Sequence, residues 1–165
     1  GDYEAQKKNF VNRLKSTNVP GFIKQAVFEL DLAKVGASTT YFPFDLTNDG
    51  TNDGFSTEEG FLPSGAAIVR VLCITTEVAV GGTDFTLGTY TVAGSAIDAD
   101  GIISATEGVI ANMGTVGEVI LGNGALVGDT SGTVGLTANS WVAATTNGTF
   151  TAGKATIVIE YIPGT

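Results

Sequence analysis

The run Ala66-Ala67-Ile68-Val69-Arg70-Val71-Leu72-Cys73-Ile74-Thr75 decides the fold class. Its one charge, Arg70, sits among aliphatic and β-branched residues. A short apolar run rich in branching at Cβ reads as a strand in the middle of a sheet. The closing segment, Ala155 to Ile162, has the same character. Its two faces, Ile157/Ile159/Tyr161 and Val158/Ile162, are both apolar, as in a strand covered on both sides. Val69, Val71, Ile74, Ile157 and Ile159 are therefore expected in the core.

Working outward, Gln25 to Leu32 alternates cleanly. Ala26, Phe28, Leu30 and Leu32 face one way, and Gln25, Val27, Glu29 and Asp31 the other, which predicts a half-buried strand. Tyr41, Phe42 and Phe44 are interrupted by Pro43, which places that segment at a sheet edge. Thr83 to Thr91 reads as a strand or hairpin bent at Gly88. Ser104-Ala105-Thr106-Glu107 has the capping-box pattern and predicts a short helix to Met113, stopped at Gly114. A strand through Val109-Ile110 is the alternative. Further strands are expected at Glu118 to Leu121, Ala125 to Val127 and Thr133 to Thr137, with a turn at Gly128 to Gly132. Asn147-Gly148 predicts a hairpin joining Trp141–Ala144 to the last strand. Eight to ten short strands separated by turn signals predict an all-β fold, a single jelly-roll-like β-sandwich over residues 22–165.

Composition agrees. Of 165 residues only 15% are charged, 23 are glycine, and threonine is abundant. Val and Thr suit a pleated surface, and Gly supplies tight turns. Charge is split along the chain. Residues 1–34 carry six Lys/Arg against four Asp/Glu, a net of +2, while residues 35–165 carry Arg70 and Lys154 against thirteen acids, a net of −11. An acidic body lacks the basic face that displaces counterions from nucleic acid, so no nucleic-acid partner is expected. No stretch approaches the length of a membrane span, and no membrane partner is expected.

Residues 1–21 read as a separate basic arm. Asp2 is the candidate N-cap of a helix over residues 3–16. Tyr3, Lys7, Phe10, Val11 and Leu14 recur at spacings of three, four and seven, and Lys8, Arg13 and Lys15 surround them. Pro20-Gly21 breaks the pattern before the body. The apolar stripe is narrow, so the segment is expected to lie on a neighbouring subunit, with Phe10, Val11 and Leu14 docking and Lys7 and Arg13 meeting acidic charge.

Residues able to do chemistry are scarce. There is no histidine, so a Ser or Cys nucleophile would need Lys as its base. Cys73, the one cysteine, reads as a small buried hydrophobe. Asp45, Asp49-Gly50 and Asp53-Gly54 resemble a calcium loop, in which alternate acids present oxygen ligands. Counted from Asp45, position 12 is Ser56, and from Asp49 it is Gly60, so both registers lack the bidentate Glu. Asn-Asp-Gly is equally good turn chemistry, and no metal is expected. Glu58-Glu59, Asp84, Asp98 and Asp100 carry no spacing that pairs them as acid and base. No catalytic residue and no cofactor are expected.

Two stretches carry a resemblance. One is Ile68 to Val78 followed by Thr83-Asp-Phe-Thr-Leu-Gly-Thr-Tyr90. The other is Phe150-Thr-Ala-Gly-Lys-Ala-Thr-Ile-Val-Ile-Glu-Tyr161. Together they resemble small β-rich virion proteins of tailed bacteriophages that accompany the major capsid protein. The resemblance implies a non-enzymatic capsid decoration (cement) or head-fibre subunit on the virion surface. It implies a major capsid protein partner and a homo-oligomer, a trimer first and a dimer second. Two other classes share the composition: a bacterial surface adhesin-like module, and a carbohydrate-binding β module with an exposed aromatic platform near Trp141.

Overall fold

Alternation builds the first strand as the sequence requires. In the computed structural model, β1 (Lys24–Asp31) buries Ala26, Phe28 and Leu30 and exposes the residues between them. The structure describes residues 22–35, 40–41, 60–128 and 135–164. The expected helix of the arm, with Lys7, Phe10, Val11, Arg13 and Leu14, lies outside the described residues. So do Phe42, Phe44, the Asp45–Gly54 loop and Glu58-Glu59.

Eight more strands follow: β2 (Thr40–Tyr41), β3 (Phe61–Leu62), β4 (Ala67–Gly81), β5 (Asp84–Tyr90), β6 (Ala96–Ile103), β7 (Val119–Leu121), β8 (Ser140–Asn147) and β9 (Phe150–Ile162). They form two antiparallel sheets. The first has the order β1-β9-β4-β7 and the second β2-β8-β5-β6, with β3 also paired to β8. The chain changes sheet at nearly every connection, so strands far apart in sequence become neighbours. This is the winding of a jelly-roll sandwich. β4 and β9 are internal to the first sheet, as their apolar runs predict, and β2 lies at the edge of the second.

The core lies between the sheets. Phe28, Leu30, Ile68, Val71, Cys73, Ile157 and Ile159 from the first sheet meet Phe85, Leu87, Ile102, Val142 and Ala144 from the second, all buried. Val71, Ile157 and Ile159 are where the sequence puts them. Val69 and Ile74 are not. The β4–β9 register shifts between Ile68 and Arg70. A bulge places two consecutive residues on one side, so Val69 and Arg70 both face outward, and Val69 is 36% exposed. Ile74, next to inward-facing Cys73, takes the outer face by strand alternation and is half-buried.

Other expectations change for local reasons. The Asn147-Gly148 turn does not close a hairpin within one sheet. It carries the chain from β8 in the second sheet to β9 in the first. Gly148 has φ +81°, and a Cβ there would lie 3.1 Å from the Cα of Gly82, in the neighbouring crossing from β4 to β5. Thr83 N donates to Asn147 O at 2.9 Å and ties the two corners together. The expected helix from Ser104 shrinks to a turn and a 3-10 helix over Ile110–Met113. The Ser104 carbonyl accepts from both Glu107 N and Gly108 N, and the Ser104 hydroxyl donates to the Glu107 carboxylate. The Ser therefore does not cap an α-helix. Ala125 to Val127 is not a ladder strand, although Val127 bridges Ile68. Residues 135–137 are not in a strand either, yet Leu136 is buried and its N–H donates to Ala66 O at 2.8 Å.

Candidate functional site

Several described acids are tied into the fold by hydrogen bonds or an ion pair. Glu77 accepts from Gly153 N at 3.0 Å, Glu118 from Thr115 N at 3.0 Å, and Asp84 from Asn147 Nδ2 at 3.2 Å. Glu160 pairs with Arg70 across β4 and β9. Among the described residues no three His, Cys, Asp or Glu side chains gather closely enough to hold a metal ion. Burial pushes the Cys73 thiol up to about 12, so at neutral pH it is protonated and a poor nucleophile. An open cleft of about 400 Å³ beside β7 is lined by Glu107, Asn112, Glu118, Val119, Ile120 and Leu121. Its two carboxylates are those already bound to Ser104 and to Thr115 N.

Asp98 and Asp100, which carry no pairing spacing in the sequence, both lie in strand β6. Burial pushes the Asp98 carboxyl up, and Asp100 adds to this through a hydrogen bond and like charge. Glu107 is held down, chiefly by the Ser104 hydroxyl. The two shifts have opposite consequences. A raised folded pKa means the folded state holds the proton more tightly, so the Asp98 contribution is present below the unfolded pKa and lost as pH rises through the folded one. The Glu107 contribution is present above its unfolded pKa and lost as pH falls. Asp98→Asn removes the ionisable group without changing shape. Its melting temperature relative to the parent is expected to rise between about pH 3.5 and about pH 7, on either side of the raised carboxyl. Thermal melts at the two pH values check this, and a difference that stays flat or falls contradicts the raised Asp98 carboxyl.

The outer face of the second sheet carries Tyr90, Ala143, Ala99 and Trp141 as a small separate cluster. Trp141 is half-buried, and its ring lies 5.2 Å from that of Phe61 at 51°. The Tyr90 hydroxyl bonds the Thr145 hydroxyl at 2.9 Å. The aromatic group is packed within the protein rather than laid open as a platform.

The outer face of the first sheet is different. Register aligns Val27, Val158, Leu72 and Leu121 in one row across all four strands. The adjacent row reads Glu29, Thr156, Ile74 and Val119. Val27 is 40%, Val119 50% and Leu121 61% exposed. The Arg70–Glu160 pair closes one end of the apolar patch. At the other end Lys154 stands opposite Asp31 and Glu77. Sequence reading missed this surface, although its signal was there. The second apolar face of β9 reads as burial on both sides, whereas among the described residues only its inner face packs into the core.

No family model matches this chain, and no curated protein does. Solved structures share its fold. One is a chain of the cyanophage Pam1 capsid asymmetric unit, at 18% identity and TM-score 0.51, covering 88% of each chain. Another is a chain of the capsid of Ralstonia phage GP4, at 13% identity and TM-score 0.53, covering 90% of this chain and 88% of the other. At these identities the likeness is one of fold.

Proposed function

We propose that this chain is a non-enzymatic structural protein of a bacteriophage virion. The observation that carries the reading is the jelly roll shared, over nearly its whole length, with chains of two phage capsids. The described side chains fit this role: their acids brace turns and strand pairs, and the only thiol is buried and protonated. Within the virion, we assign it to decoration or cementing of the shell, bound to the major capsid protein as a homo-oligomer, a trimer before a dimer. The resemblance of its Ile68–Tyr90 and Phe150–Tyr161 stretches to small virion proteins supports this finer assignment. Nothing on the outer face of the second sheet favours the glycan-binding alternative, since Trp141 is packed against Phe61.

The basic arm is the proposed docking segment, through Phe10, Val11 and Leu14 with Lys7 and Arg13. Its net charge is opposite to that of the body, and repetition in a symmetric assembly multiplies a weak contact. Deleting residues 1–20 is expected to leave the body folded, because the cut precedes β1, whose pairing with β9 begins at Lys24. The same deletion is expected to abolish co-sedimentation with capsid shells and to lower the mass in solution. A truncated body that binds shells as well as the full chain removes the arm from the mechanism. A full chain that never co-sediments with shells removes the decoration assignment.

A further inference from the structure

We infer that the outer face of the first sheet, centred on Val27, Leu72, Leu121 and Val158, receives the N-terminal arm of a neighbouring copy of this chain. The inference rests on the proposed assembly, which brings copies into contact.

The face calls for a cover. Four aliphatic side chains lie in register across four strands, with Ile74 and Val119 beside them. A contiguous apolar patch of this kind marks a contact surface rather than scattered exposure. Charge selects its occupant. Glu29 stands in the second row, and Glu118 adjoins Val119. Residues 35–165 as a whole are net −11. A second copy of the same face would bring the same acids against these, and like charges opposed across an interface disfavour it. The matching element is apolar on one side and basic around it. Residues 1–21 have that pattern, with Phe10, Val11 and Leu14 flanked by Lys7, Lys8, Arg13 and Lys15.

Dimensions fit. The helix that the sequence predicts over residues 3–16 would be roughly 21 Å long. Four strands span roughly 14 Å between the outermost pair, so the helix crosses the sheet from edge to edge. The arm joins the body at β1, the edge strand of this sheet. It therefore leaves at the rim of the sheet. Phe22 and Ile23, in that run-in, are themselves exposed.

The test is crosslinking of the full-length protein with a flexible bismaleimide. The native thiol, Cys73, is buried and protonated and stays silent while the protein is folded. Leu14→Cys and Leu121→Cys are prepared separately and mixed. Position 121 tolerates cysteine, since Leu121 is mostly exposed. The expected result is a covalent pair at twice the 16.8 kDa chain mass, formed in the mixture and not by Leu121→Cys alone. A second change, Leu121→Asp added to Val119→Cys, is expected to leave the protein folded and to lose most of the pairing that Val119→Cys alone makes with Leu14→Cys. If only a chain carrying both cysteines links, and links within itself, the arm covers its own sheet and the inference is overturned. It is equally overturned if neither the mixture nor the double variant links. Shell co-sedimentation is scored independently. Binding to shells without linkage between chains sinks this inference alone, and linkage without shell binding sinks the decoration reading alone.

Discussion

Val71→Asp is expected to yield no folded protein. Val71 is fully buried on the inner face of β4, opposite Ile159 in the register. Its carbonyl accepts from Gly122 N at 3.0 Å, and its Cβ stands where a Cβ on Gly122 would come within 2.8 Å. A carboxylate there is cut off from solvent within the apolar core cluster. The isolated buried charge costs several kcal/mol, up to the point where the group takes a proton instead. A domain of this size has a total stability of about 5–15 kcal/mol, so one such group consumes much or all of it. Val69→Asp, two residues earlier, is the control. The bulge turns Val69 outward, so that variant is expected to fold with a change within about 0.5 kcal/mol. Circular dichroism and thermal melting of the two proteins decide the matter. A folded Val71→Asp protein, or an unfolded Val69→Asp one, reverses the assignment of faces along β4.

Gly88→Ala is expected to be the most damaging of the glycine substitutions in the strands. Gly88 pairs with Ala143 of β8 on one side and lies under β6 on the other. An added Cβ would sit 2.1 Å from Asp98 O and 2.3 Å from the carbonyl carbon of Ala99. Both obstacles are backbone, which cannot swing aside as a side-chain tip can. β6 would have to lift from β5, and the β5–β6 ladder is already irregular there, with register shifts on either side of Thr89. Overpacking of this kind costs about 3 kcal/mol, which lowers the melting temperature by roughly 6–12 °C in a chain of this length. Gly114→Ala is the comparison. Its Cβ would meet nothing closer than 3.5 Å, and its backbone is right-handed helical. No loss of stability is expected there. Equal melting temperatures for the two variants would show that β6 does not lie over Gly88.

Gly88 also shows where sequence reading stops. A glycine inside an apolar strand signals a bend or a close approach of another backbone. The sequence favours the bend, whereas β5 runs through it from Asp84 to Tyr90 and the approach is by β6. Asn147-Gly148 behaves similarly. Its turn is where local chemistry places it, but a two-residue turn signal does not say whether the next strand joins the same sheet or the opposite one. Ser104 and Glu107 do bind each other, but the Ser104 hydroxyl donates to the Glu107 carboxylate while Glu107 N donates to the Ser104 carbonyl, and no α-helix follows them. Gly108 N already donates to Ser104 O, while Phe85 N takes the Gly108 carbonyl for the strand side of the structure.

The candidate surface was legible in part. The second apolar faces of β4 and β9 are visible as apolar residues at alternate positions. Their alignment with Val27 and Leu121 is not, because those residues belong to strands far away in the chain. Sequence by itself determined the strand-rich body, the alternation of β1, the internal position of β4 and β9, the scarcity of catalytic side chains and the division of charge between arm and body. Those properties follow from side-chain chemistry and from periods of two and 3.6, which act over a few residues. Only the tertiary structure decided which strands are neighbours, which side of β4 faces the core after its bulge, and which aliphatic residues line up on the outer sheet. Each of these depends on pairing register between distant segments, and a slip of one residue sends every side chain to the opposite face.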